Sequence, residues 1–356
     1  MERTERVIKR AHLASWAALT ALCLLCGGGQ ALAKENPQTG MAEVNGTRLY
    51  YETAGKGPTI VLVHGGLVDS RLWNDQIKAF AKHQRVLRYD LRGFGRSAAA
   101  PEPFSHIEDL RGLMDFLKID RATIVGLSLG GIVAADFALE YPERVERLVL
   151  VGSGLRGDKQ PPDKDAIKAY EAASKGVAEE FVDVTMKSKL YAAVREGTPA
   201  YARLRQMMLE NFKAVPTFRP GFLKYPEPPT IERLESIRAP TLVVIGGEDA
   251  QSLKNVADTL VGGIPGARKV VIPGVSHHPP VESPNEFNNA ILNFLKGKTK
   301  YPRKSGKTPV LHSARFDHSS SLNALLLARA STHGLRGVQI TQTTAYELVQ
   351  SGALTD

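Results

Sequence analysis

Short apolar runs alternate along this chain with stretches of helical spacing, and that alternation limits the fold more than any other feature. The runs are Thr59–Val63, Arg85–Asp90, Ala122–Gly126, Val145–Val151, Thr241–Ile245 and Lys269–Ile272. Helical spacing covers Leu72–Lys82, Ile107–Leu117 and Gly130–Glu140. Short, largely apolar strands alternating with helices are covered on both faces, so they predict an α/β fold with a parallel sheet between helices. Asn45-Gly46, between Met41–Val44 and Thr47–Glu52, predicts a leading hairpin. The alternation stops at residues 158–232, which are charged, helix-like and broken by prolines such as Pro161, Pro216 and Pro228. Because strands resume afterwards, this segment reads as a helical cap inserted into one sheet domain, with the core on either side at 34–157 and 233–297.

One strand-to-helix junction carries chemistry. Gly126-Leu127-Ser128-Leu129-Gly130-Gly131 follows a buried strand and opens a helix rich in small residues. This is the setting of a G-x-S-x-G nucleophile elbow. The tight turn strains the serine backbone, and glycines two residues away remove Cβ atoms that would collide with neighbouring chain. The hydroxyl then stands at a helix N-terminus, where amide N–H groups can receive developing negative charge.

Such a serine needs a base and an orienting carboxylate. His277 and His278 stand in the loop after the last strand, at the sheet edge where α/β sites form. Glu248 and Asp249 both follow the strand ending at Ile245, and either could accept an imidazole N–H; Asp158 is a weaker third candidate. For oxyanion donors, the Leu129 N–H lies next to the serine, and Gly66 in the loop after Thr59–Val63 is the natural second. His64 in that loop reads as a brace rather than a second base.

The ends differ from the middle. Arg3, Arg6, Lys9 and Arg10 precede the apolar run Leu13–Cys26, and Ala31-Leu32-Ala33 follows it. This reads as a secretory signal peptide over 1–33, too short for a span, with export to the periplasm or medium and no stable membrane insertion after cleavage. Both cysteines, Cys23 and Cys26, fall inside it, so the mature chain would hold none, as suits an oxidising compartment. Residues 298–356 are basic, Ser- and Thr-rich and without periodic pattern, and read as a disordered extension. The 356-residue chain has 46 Lys and Arg against 37 Asp and Glu, net +9. Residues 34–295, however, hold 33 basic and 32 acidic side chains. The positive balance belongs to the ends, so it is no argument for a nucleic-acid partner.

Taken together, His64-Gly65-Gly66 with Trp73, Asp90–Ser97, Gly126–Gly131, Tyr141–Leu148, Pro240–Asp249 and Pro273–His277 with Glu282 and Pro284 resemble the α/β-hydrolase superfamily. The likeness runs from about Asn45 to Leu295. Its nearest branch is that of the enol-lactonases, cofactor-free haloperoxidases and small carboxylesterases. The resemblance implies Ser128 as nucleophile, Asp249 rather than Glu248 as the acid, and His277 as the base. It also implies Gly66 and Leu129 as oxyanion donors. Ser276 stands where the family carries a second glycine. Relatives with an aspartate nucleophile, the dehalogenases and epoxide hydrolases, are set aside by Ser128.

The resulting expectation is an exported serine hydrolase of a small-molecule ester or lactone, needing neither metal nor cofactor. Peracid chemistry at the same site is the alternative activity. A non-catalytic binding protein, or an interaction protein acting through its basic tail, is the alternative class. Lactone ring-opening in aromatic catabolism is usually cytoplasmic in the family, and the export signal counts against that assignment.

Overall fold

Thr59–Val63 (β3), Arg85–Tyr89 (β4), Ala122–Leu127 (β5), Val145–Val151 (β6), Thr241–Gly246 (β7) and Arg268–Ile272 (β8) form parallel neighbours in the computed structural model. The model describes residues 37–161, 164–219 and 221–297. The segments read as signal peptide and basic extension lie outside the described residues. Gln38–Val44 (β1) and Thr47–Ala54 (β2) are the expected hairpin, with Asn45 at φ 47° and Gly46 at φ 68° in the turn. Both central residues have positive φ, which only Gly and Asn adopt readily. β2 pairs antiparallel with β4, giving one eight-stranded sheet of order β1-β2-β4-β3-β5-β6-β7-β8.

Burial explains why the strands read as they do. Every residue of β5 and β7 is buried, whereas the edge strands β1 and β8 alternate with exposed positions. Successive residues of a strand feed opposite faces. Val61, Val63, Ile124 and Leu150 join one core cluster, and Ile60, Leu62, Val125 and Val151 the other. The first face is covered by His106–Phe116 (α2), Leu129–Glu140 (α3) and Gln251–Gly263 (α7). The second is covered by Asn74–Phe80 (α1) and Pro284–Leu295 (α8). Ser105 starts α2 by accepting the Glu108 N–H.

The segment between β6 and β7 is helical, as its pattern predicts. It contains Lys164–Ser174 (α4), Ala178–Met186 (α5) and Pro199–Asn211 (α6), joined by 3₁₀ turns. Phe181, Val182, Leu204 and Met208 join the second core cluster, so the cap packs through apolar contact. Polar ties fix its position. Asn211, fully buried at the end of α6, donates to Asp69 Oδ2 (2.8 Å) and accepts the Gly95 N–H (2.7 Å). Phe104 and Leu223 add an isolated parallel bridge. No helix among the described residues is long and apolar enough to cross a membrane.

Candidate active site

The loops at the C-terminal ends of β3, β5, β6, β7 and β8 converge on Ser128. Between β5 and α3, Ser128 is held at φ 54°, ψ −112°, a region a β-carbon normally avoids. The turn is locked from both sides. The Ser128 N–H donates to Val151 O (2.9 Å), and its carbonyl accepts from Gly131 N (2.9 Å) and Ile132 N (3.1 Å). A methyl on Gly126 would run into the Gly130 carbonyl, and one on Gly130 into the Val63 carbonyl. These are the glycines the sequence motif requires. Leu129 is the first residue of α3, so its N–H precedes the helical hydrogen-bond ladder.

The loop after β3 lies against this elbow. A Gly65 Cβ would sit 2.8 Å from the Leu127 side chain and 3.3 Å from Ser128 Cβ. Gly66 lines the same cavity as Ser128 and Leu129. His64 is fully buried and committed elsewhere. Its Nε2 accepts the Leu91 N–H (2.9 Å), which leaves Nδ1–H to donate to Gly65 O (2.7 Å). Burial pulls its pKa below the usual histidine value despite Asp90 nearby. Leu67, next in the loop, has φ 62°, a strained residue that nothing in the sequence marks.

His277 and Asp249 meet across the ends of β7 and β8. His277 Nδ1 lies 3.1 Å from Asp249 Oδ2, with both side chains buried. Asp249 Oδ1 accepts the Ala250 N–H (2.8 Å), which fixes the carboxylate in place. Glu248 is exposed, and only its backbone joins the loop, by donating to Val275 O (2.9 Å). Asp158 accepts from Gln160 instead (2.9 Å). Desolvation alone would lower the His277 pKa, but the Asp249 and then Glu282 carboxylates outweigh it and raise it above the usual value. With Nδ1–H directed at Asp249, Nε2 is the nitrogen left for proton transfer.

Three supports of this pair have tasks that the sequence does not reveal. Glu282 accepts from Ser276 N (2.7 Å), Ser276 Oγ (2.8 Å) and His278 N (2.6 Å), so it clamps the turn on both sides of His277. Its motif position was evident, its task was not. Gly152, at φ 46° after β6, leaves room for the pair: a Cβ there would lie 2.9 Å from His277 Nδ1 and 3.3 Å from Asp249 Oδ2. The cap supplies the third, because the His277 N–H donates to Leu190 O (3.1 Å) in the turn Lys189–Tyr191.

Ser128, Gly66, Leu129, His277 and His278 all line one cavity of about 440 Å³. Its walls are mostly apolar, with Leu127, Ile132 and Leu253 from the core side and Ala169, Phe181, Tyr191 and Phe218 from the cap. Such a cavity is large enough for a small organic substrate.

Residues 58–284 match the family described as alpha/beta hydrolase fold. The chain belongs to the α/β-hydrolase fold family. Over 265 residues this hydrolase is 32% identical to a 2-hydroxy-6-oxononadienedioate/2-hydroxy-6-oxononatrienedioate hydrolase of Paraburkholderia phymatum, covering 70% of this chain and 91% of the relative. Among solved structures it is similar to the enol-lactonase of Burkholderia xenovorans LB400, with TM-score 0.63 and 29% identity over 72% of this chain and all of that one. It is also similar to a thermophilic esterase of Thermogutta terrifontis, with TM-score 0.61 and 28% identity over 73% of this chain and 99% of that one. These neighbours agree with the branch that the motifs indicate.

Proposed function

We propose that this α/β-hydrolase is a serine hydrolase of a carboxylic ester or lactone, exported to the periplasm or beyond. The observation that carries the reading is the strained Ser128 at a helix start, in one cavity with His277, which is paired with the buried Asp249 behind it. Neutral His277 takes the Ser128 proton through Nε2 while Oγ attacks the carbonyl carbon. Asp249 accepts the Nδ1–H and offsets the imidazolium charge. The N–H groups of Leu129 and Gly66 receive the oxyanion; losing one such donor typically raises the barrier by about 3–4 kcal/mol. The carbonyl re-forms, the C–O bond to the leaving oxygen breaks, and His277 delivers its proton there. Water then attacks the acyl-serine by the same route and frees the acid and Ser128.

A second reading comes from the relatives' names. A 2-hydroxy-6-oxononadienedioate contains no ester, so its hydrolysis breaks a carbon–carbon bond, and as a dioate it carries two carboxylates. Ester chemistry is favoured because the cavity offers little to such an anion. Apart from its histidines, its charged lining residues are Lys189 and Asp165, which balance, and no arginine lines it among the described residues. Buried charge needs a partner, so a neutral substrate suits these walls better.

The test is hydrolysis of nitrophenyl esters of graded acyl length, with lactones and a 2-hydroxy-6-oxodienoate in parallel. Ser128→Ala should lower ester turnover by about a thousandfold or more. Equal turnover by wild type and variant rejects the serine reading, and turnover of the dienoate alone favours carbon–carbon cleavage. Export rests on the N-terminal sequence. It is tested by cell fractionation and by the mass of the mature protein, which should begin at Lys34.

A further inference from the structure

His278 is buried in the cavity wall, yet the proton transfers above do not use it. Its ring stacks on Tyr191 of the cap (centroids 4.9 Å, interplanar angle 27°) and meets the His277 ring edge-on (5.0 Å, 90°). Its backbone N–H is held by Glu282 (2.6 Å). Three neighbours therefore fix its orientation. Nδ1 is sealed from solvent and has no hydrogen-bond partner. Nε2 also has no protein partner but is not sealed, so its open side faces the cavity that the residue lines.

That difference sets the tautomer. A neutral imidazole carries one donor and one acceptor nitrogen. Orphaned buried N–H groups are the rarer defect, so the proton belongs on Nε2, where a ligand can meet it. Burial and the adjacent His277 keep the pKa well below the usual histidine value, so the ring stays neutral. The cavity wall thus presents one fixed, uncharged N–H donor.

Its position says which part of the substrate it meets. In the proposed reaction the leaving oxygen takes its proton from His277, so the departing alcohol lies against His277. His278 is the next residue along the same wall. We propose that His278 Nε2–H is a substrate-contacting, specificity-determining donor on the leaving-group side. It selects alcohols, or lactone rings, that carry a second, uncharged acceptor oxygen near the scissile bond. This inference rests on the ester reading above.

Two isosteric esters test it: 2-methoxyethyl butanoate, which has the acceptor oxygen, and butyl butanoate, which replaces that oxygen by CH2. The quantity read is the ratio of their kcat/KM values in the wild type divided by the same ratio in a variant, which cancels their intrinsic reactivities. His278→Phe keeps the stack on Tyr191 and removes the donor; His278→Leu serves in its place if the Phe variant folds poorly. One neutral hydrogen bond corresponds to a ratio change of roughly three- to tenfold, mostly through KM. His278→Gln, which retains a neutral donor, should hold the wild-type preference to within about twofold. An unchanged ratio in the donor-free variant overturns this inference and leaves the ester reading standing. Failure of the wild type to cleave either ester through Ser128 overturns both.

Discussion

The orientation of His277 is set by contacts on every side, and its protonation should report them. Its raised pKa means that the neutral base is lost as pH falls through a value above the ordinary 6.5. The acid limb of kcat/KM is therefore expected to have its midpoint above 6.5. Asp249→Asn removes the largest raising influence, so the limb should move down while the rate falls by about a thousandfold or more. Glu248→Gln should change the rate by less than about threefold, because Glu248 points to solvent. An Asp249→Asn profile with an unmoved limb would count against the pairing. Gly152 gives an independent check. Ala there must hold φ 46° and press its methyl on the His–Asp pair, so Gly152→Ala should lower kcat at least tenfold by displacing the imidazole, an effect of about 1.4 kcal/mol in barrier. Full activity in that variant would show that the loop yields easily. At this scale the sequence exposes residues whose identity is demanded by one local turn, such as Ser128, Gly126 and Gly130. It hides the task of Gly152, which arises only when distant loops meet, that of Glu282, whose clamp exists only in the folded turn around His277, and the strained backbone of Leu67.

The interior strands were the most legible elements, because each holds a short apolar run between helices. β3 and β6 were predicted at their observed bounds, and β5 and β7 run one residue further than predicted. α1 is shorter than its predicted span, since Ser70–Trp73 is a 3₁₀ turn and the α-helix begins at Asn74. α7 buries only Val256, Ala257 and Leu260, too few to mark its ends in the sequence. The cap was visible as an interruption, but its docking was not, because the ties join residues far apart in the sequence, the buried Asn211 amide among them. Asn211 satisfies both Asp69 and the Gly95 N–H, and its removal leaves buried polar groups with fewer partners. Asn211→Ala is expected to destabilise by about 1–3 kcal/mol in denaturant unfolding. Asn211→Asp should be worse. Arg71 and Asn211 outweigh desolvation and hold the Asp69 pKa down at about 2, so a second carboxylate would face one already charged. If the Asp variant were the more stable of the two, the bridging role would be wrong.

For the molecule as a whole, charge balance matters less than which histidines are buried. The core is near neutral, and the excess of basic residues lies mainly at the two ends of the sequence. His64, His106 and His278 are all buried with pKa values held down by desolvation, foremost in each case. His106 is the cleanest reporter. It packs between Phe94 and Phe104, neither ring nitrogen has a partner, and its pKa is pushed down to about 3. The unfolded chain binds that proton near pH 6.5 and the folded one only near 3. Between those values the unfolded state holds more protons, so stability falls as pH falls, by up to about 1.4 kcal/mol per pH unit from this one residue. Above 6.5 both states are neutral and the contribution is constant. His277 acts with the opposite sign, since its raised pKa adds stability at low pH that is lost as pH rises through the folded value. It is present in both proteins of a pairwise comparison and cancels. His106→Phe removes the titration and two orphaned polar atoms while keeping an aromatic ring between its neighbours. The variant should be the more stable protein at neutral pH, and its advantage over wild type should grow steadily from pH 6.5 down to 4.5. Urea midpoints measured across that range decide the matter: parallel curves for the two proteins would mean that His106 is protonated in the fold, with an acceptor for its proton.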